Sequence, residues 1–183
     1  MKQIIIGFTL IITVIAVWAS VQLFGGRVPA DLLELVQTKE TTVLVDFRMP
    51  SYKKRLWVVK NGELIFSTRV SHGRESGDLY AKFFSNKKGS HMSSLGKYIT
   101  ANVYKGKHGL SLNIVGLDST NNNAYDRRIV FHGANYSKLS FVLRHGRLGT
   151  SEGCFATDPE DNQKLIDLIK EGKMMYVVGN QMK

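Results

Sequence analysis

The 183-residue chain holds a single cysteine, Cys154, within Gly149-Thr150-Ser151-Glu152-Gly153-Cys154-Phe155. A packing thiol sits among aliphatic side chains; this one sits among glycines and hydroxyls. Glycines beside a nucleophile let the backbone turn sharply and bring N–H groups toward a carbonyl under attack, where they stabilise an oxyanion. The thiol also needs a base, because at its free pKa of about 8.5 only a few per cent is thiolate at neutral pH. Upstream, Arg128-Ile129-Val130-Phe131-His132-Gly133 places a histidine at the end of a β-type run, followed by glycine. The pair suits acyl transfer by a cysteine nucleophile. A lone cysteine can neither close an intramolecular disulfide nor furnish a multi-thiolate zinc site.

Other reactive side chains have plainer readings. His72, His91, His108 and His145 form no i, i+4 pair with His132 or one another, and no His-Glu-x-x-His run exists, so neither a metal nor another cofactor is expected. His72 and His108 each precede a glycine and suit either a cleft wall or a loop; Tyr136 suits a cleft border or packing. Ser85, Ser93 and Ser94 fit loop and turn roles. Lys53-Lys54-Arg55 and Lys87-Lys88 are short basic clusters that read as solvated loops.

These residues need a scaffold, and the pattern beyond residue 40 has period two. Thr42 to Phe47 reads as a strand. Arg55 to Lys60 and Glu63 to Val70 flank Asn61-Gly62, a strong hairpin signal. Further strands are expected over Gly96 to Ala101, Leu110 to Leu117, Arg127 to His132 and Lys173 to Val178. A helix is expected from Asp158, which caps it, through Pro159 to Gly172; Asp161 completes a capping-box pattern, and Leu165, Leu168 and Ile169 form its apolar stripe. The architecture expected is one mainly β domain over 42–180 with one or two packed helices.

The N-terminus addresses the compartment. After Met1-Lys2-Gln3 the chain carries no charge until Arg27. The apolar run suits a secretory signal with a cleavage triplet at Val17-Trp18-Ala19. Residues 4–24, at about 1.5 Å per helical residue, are also long enough to cross about 30 Å of hydrocarbon as a retained anchor. Either way the rest is expected to be exported, to the periplasm or cell envelope. Residues 25–41, with an amphipathic Ala30 to Val36, read as a connector helix. Twenty-five Lys and Arg against 15 Asp and Glu give a net charge of +10. Export turns that surplus toward an anionic envelope polymer instead of nucleic acid.

His132-Gly133 followed by Ser151-Glu152-Gly153-Cys154 resembles the His-Gly and Ser-x-Gly-Cys signature of the L,D-transpeptidases, the YkuD-like peptidoglycan cross-linking enzymes, and most closely their murein L,D-transpeptidase catalytic domain branch. The resemblance runs over roughly 45–179 and includes Ser71-His72-Gly73-Arg74, Tyr104-Lys105-Gly106-Lys107-His108-Gly109 and Arg147-Leu148-Gly149. It implies a β-sandwich or barrel domain and a metal-free mechanism. Cys154 would be the nucleophile and His132 the base and acid. The Gly133 carbonyl would orient the imidazole, and N–H groups around Gly153 and Cys154 would hold the oxyanion. Ser151 would shape the loop and border the substrate. The substrate implied is a peptidoglycan tetrapeptide stem, which loses its terminal D-Ala and is joined to another stem in a 3-3 cross-link. A carbapenem would acylate the same cysteine.

The family pattern has Arg two places after the cysteine, and here that place is Ala156. Arg144, Arg147, Arg127 and Arg128 are the candidates to hold the substrate carboxylate instead. Papain-like envelope enzymes place Cys before His, the reverse of this order. Sortases need an Arg after the cysteine, and none follows Cys154. The alternatives left are an L,D-carboxypeptidase with water as acceptor and a non-catalytic cell-wall-binding module.

Overall fold

The computed structural model describes residues 27–36 and 40–182. The run over 1–24 lies outside the described residues, as does part of the 25–41 connector. Among the described residues no helix is long and apolar enough to cross a membrane.

The strands are β1 (Thr42–Asp46), β2 (Leu56–Lys60), β3 (Glu63–Thr68), β4 (Gly96–Gly106), β5 (Gly109–Gly116), β6 (Val130–Gly133), β7 (Phe155–Thr157) and β8 (Met174–Val178). The helices are α1 (Ala30–Leu33), α2 (Leu139–His145) and α3 (Pro159–Ile169). Among the described residues these eight strands join one mixed sheet in the order β3-β2-β1-β8-β4-β5-β6-β7. The sheet curls on itself. Phe47, just after β1, stacks on Phe155 of β7 with ring centroids 5.8 Å apart, although four strands separate β1 from β7 in the sheet order. Beyond β3, the Ser71 N–H donates to the Ala156 carbonyl at 2.8 Å, so the chain leaving one edge reaches the other. The mainly β fold with packed helices is therefore as expected.

The curl encloses a core of alternate residues from most strands, including Val43, Val58, Tyr98, Ile114, Phe131 and Phe155, sealed by Leu165, Ile166 and Ile169 of α3. A second cluster forms on the outer face, where Leu32 of α1 packs on Leu44, Trp57 and Val59. Both faces of β1 are thus covered, which accounts for its unbroken apolar run. Arg48 pins α1 to the sheet by donating to Asp46 at 2.8 Å and Asp31 at 2.7 Å.

Several local differences have physical causes. Asn61 and Gly62 both have positive φ (53° and 79°), as a type I′ hairpin turn requires. Strand β6 starts at Val130, not Arg127, because 118–129 is a run of turns in which Arg128 adopts φ 57°. Asp158 caps α3 by accepting from the Glu160 N–H at 3.1 Å, but Asp161 accepts from Thr68 Oγ1 at 2.5 Å and ties the helix to β3. The buried stripe of α3 includes Ile166, while Leu168 is exposed. Helix α1 is a single turn, shorter than the expected Ala30 to Val36. Helix α2 was not expected: its N-cap is Lys138, which lacks a capping side chain, and only Gly146 at φ 71° marks its end. Strand β7 is too short to show a period.

Candidate active site

Strands β6 and β7 run parallel, with His132 opposite Ala156 and Phe131 opposite Phe155. The two phenylalanines point into the core. By alternation, His132 and Ala156 face the other way, and Cys154 precedes Ala156 by two residues, so it shares that face. His132 and Cys154 line one cleft of about 590 Å³, together with Ser151, Tyr136, His108 and Arg128 among others.

The loop bearing the cysteine is fastened from both sides. The Ser151 N–H donates to the His72 carbonyl at 2.9 Å, and the Ser151 carbonyl accepts from the Arg74 N–H at 2.7 Å. Ser93 Oγ donates to the Gly153 carbonyl at 3.1 Å. Inside the loop, Ser151 Oγ donates to the Cys154 carbonyl at 2.7 Å and accepts from the Gly153 N–H at 3.1 Å. This corrects one expectation. The Gly153 N–H is engaged by Ser151, so of the two N–H groups beside the nucleophile the one left unengaged is that of Cys154. Glycine is required at 153 for a different reason: φ is +118°, and a Cβ there would lie 2.9 Å from both Ile129 Cδ1 and the Met92 carbonyl oxygen.

His132 Nδ1–H donates to the Gly133 carbonyl at 3.1 Å, which leaves Nε2 as the unprotonated nitrogen of the neutral ring. The ring of His108, from the β4–β5 turn, stacks on it with centroids 4.5 Å apart and planes 27° from parallel. Burial pulls the His132 imidazole below its ordinary value; the Gly133 carbonyl opposes this, while His108 and Lys107 reinforce it. Burial pushes the Cys154 thiol up, against a backbone hydrogen bond from Val130 and the charge of Arg127. At neutral pH the resting pair is therefore thiol and imidazole, an arrangement suited to general-base activation.

The remaining sequence candidates divide. Tyr136 lines the cleft half-buried, with burial pushing its hydroxyl up to about 12, and it packs against Gly149, where a Cβ would lie 2.6 Å from Tyr136 Cβ. His72 is not a cleft residue: it is 1% exposed, its Nδ1 accepts from Arg55 at 2.7 Å and its Nε2–H donates to the Gly77 carbonyl at 2.8 Å. Burial, helped by the Arg55 charge, lowers its imidazole to about 3, so it stays neutral. Arg144 and Arg147 also fall outside the cleft. Arg144 bonds back to the Ser140 carbonyl of its own helix, and Arg147 reaches Asp78 at 3.3 Å. Arg127 and Arg128 are the arginines that line it. Sequence reasoning missed the stacking of His108 on His132, since only strand pairing brings the β4–β5 turn over β6. It also missed Glu152, which lines the cleft and pairs with Arg74 and His91. Among the described residues no three His, Cys, Asp or Glu side chains converge as a metal site.

Residues 31–178 match the family model described as the L,D-transpeptidase catalytic domain. No curated protein matches the chain. Similar solved structures include an L,D-transpeptidase from Stackebrandtia nassauensis (22% identity, TM-score 0.48, covering 79% of this chain and 58% of that one). Another is an L,D-transpeptidase from Mycobacterium smegmatis (14%, 0.48, 76% and 59%). A third is the helical cell shape determining protein Pgp2 from Campylobacter jejuni (14%, 0.50, 85% and 58%). The chain thus spans 58–59% of the length of these three.

Proposed function

Since the chain belongs to the L,D-transpeptidase catalytic domain family, we propose that it is a cysteine-dependent acyltransferase acting on peptidoglycan tetrapeptide stems and forming 3-3 cross-links. The observation that carries this reading is the shared cleft of His132 and Cys154, with the Nδ1–H of His132 tied to Gly133.

In this mechanism His132 Nε2 takes the thiol proton as Cys154 Sγ attacks the carbonyl of the stem's third residue. The developing oxyanion accepts from the Cys154 N–H, which the loop leaves unengaged, and the Gly133 carbonyl steadies the imidazolium. The C–N bond to the terminal D-Ala then breaks, and the imidazolium returns its proton to the leaving amine. A side-chain amine of a second stem attacks the thioester and gives its proton to His132; the C–S bond breaks and the thiol is restored. Ser151 holds the turn, and Tyr136 borders the bound stem. The expected export of the chain and its +10 charge are consistent with work beside an anionic envelope polymer.

The test is incubation of purified protein with tetrapeptide muropeptides, with products followed by mass spectrometry beside Cys154→Ala. Loss of D-Ala with a cross-linked dimer is expected from the wild type and neither from the variant. Tripeptide without dimer would make water the acceptor and the enzyme an L,D-carboxypeptidase. No product from wild-type protein would favour the non-catalytic wall-binding module.

A further inference from the structure

The cleft presents three cationic side chains from Lys107, Arg127 and Arg128. They are not equivalent. Arg127 is held by the 85–94 loop: it donates to the carbonyls of Ser85 at 2.7 Å and Met92 at 2.5 Å, and to Ser90 Oγ at 3.2 Å. That guanidinium organises the loop and has little capacity left for a ligand. Arg128 is exposed, and among the described residues no hydrogen bond or ion pair engages its guanidinium.

Its backbone is unusual in the same place. Arg128 stands at φ 57°, fixed by its own N–H donating to the Tyr125 carbonyl at 2.9 Å and by the Ile129 N–H donating to the Ala124 carbonyl at 2.9 Å. Bulky residues seldom adopt that conformation, and where it persists at a site it often has a use. Here it turns the Arg128 carbonyl to the thiol, accepting from Cys154 Sγ at 3.5 Å, while the side chain lines the rim. The same side chain borders an adjoining depression of about 530 Å³ with Tyr104, Asn113, Tyr125 and Asp126.

Local charge favours an anion. Glu152, the acidic residue lining the cleft, is already paired with Arg74 and His91. Asp126 borders the neighbouring depression without pairing to Arg128. At the position two after the cysteine, Ala156 is fully buried and offers no charge. A planar guanidinium with free donors suits a bidentate carboxylate. In a peptide cut at its last amide, the terminal carboxylate lies one residue, about 3.8 Å between Cα atoms, beyond the carbonyl under attack.

Resting on the acyl-transfer reading, we propose that Arg128 anchors the C-terminal carboxylate of the donor stem peptide and so selects peptides whose scissile amide is the last one. The test measures binding in the Cys154→Ala protein, using a tetrapeptide stem with a free C-terminal carboxylate and the same peptide as its C-terminal amide. The parent is expected to bind the acid at least about tenfold tighter than the amide. Arg128→Asn, chosen because asparagine tolerates left-handed backbone, should erase that preference by weakening only the acid, and Arg128→Lys should restore part of it. Arg144→Ala should leave the preference intact. A parent that binds both peptides equally or neither, or an acid preference that survives Arg128→Asn, overturns the proposal. Failure of the catalytic reading looks different: Cys154 protein that releases no D-Ala while the acid preference and its loss in Arg128→Asn persist.

Discussion

Replacing Ser151 by alanine isolates the turn that presents the cysteine. The hydroxyl makes two hydrogen bonds, to the Cys154 carbonyl at 2.7 Å and from the Gly153 N–H at 3.1 Å, and the residue is 5% exposed. Each bond contributes about 0.5–1.5 kcal/mol net, so Ser151→Ala should cost about 1–3 kcal/mol, with both backbone groups left short of a partner. For a domain of this size that lowers Tm by about 2–12 °C. The Ser151 backbone bonds to His72 and Arg74 survive, so the loop stays attached and the chain still folds. What loosens is the direction of Cys154 and of its N–H, which should lower kcat/KM for stem turnover about 10- to 100-fold. Calorimetry gives the stability change, and muropeptide turnover gives the catalytic one. Ser151→Thr keeps the hydroxyl and should recover most of both. A Ser151→Ala protein with unchanged Tm and turnover would refute the claim that this side chain sets the turn.

Three further perturbations follow from the same contacts. Arg55→Ala removes a fully buried guanidinium that donates to the Val70 and Met49 carbonyls and to His72, and should cost about 3–5 kcal/mol in urea denaturation, because those acceptors lose their donor and a cavity opens in the interior. Gly153→Ala combines a disfavoured φ of +118° with contacts at 2.9 Å, and should abolish muropeptide turnover while thermal melting shows a folded but destabilised protein. Stability should fall on acidification from about pH 6.5, the unfolded imidazole value. His72 at about 3 and His132 below its ordinary value bind protons less readily when folded, so the unfolded state takes up more protons as pH drops. For His72 the slope approaches about 1.4 kcal/mol per pH unit and continues toward pH 3, and His132 adds a loss of the same sign. Urea denaturation at pH 7, 5.5 and 4.5 checks it, and His72→Gln should flatten the profile.

The parts of the molecule legible in its sequence are those whose signals are local. The Asn61-Gly62 hairpin, the Asp158-Pro159 helix start and the period-two strands each follow from a few adjacent residues, and each is present. Cys154 stands out because glycines and hydroxyls surround a thiol that has no second cysteine to pair with, and His132 because it ends a β-type run before a glycine. Fine geometry was less accessible because it depends on pairing between distant segments. His72, before a glycine, suits a cleft wall or a loop, yet Arg55, 17 residues away, draws its ring into the interior. The Gly153 N–H reads as an oxyanion donor in the sequence, yet the Ser151 hydroxyl accepts it. Arg144 and Arg147 had the right charge, but α2 and Asp78 carry them off the cleft. Arg128 reaches the cleft because a left-handed residue delays the start of β6, a feature that no period in the sequence announces.

The central claim is that Cys154 becomes acylated by the stem. Intact-protein mass spectrometry of the enzyme mixed with tetrapeptide and no amine acceptor, followed by peptide mapping, measures this most directly. The account predicts an adduct of the stem lacking its terminal D-Ala, located on Cys154, absent from Cys154→Ala and slowed in His132→Ala. D-Ala release without an adduct on Cys154, or an adduct that persists in Cys154→Ala, would contradict it.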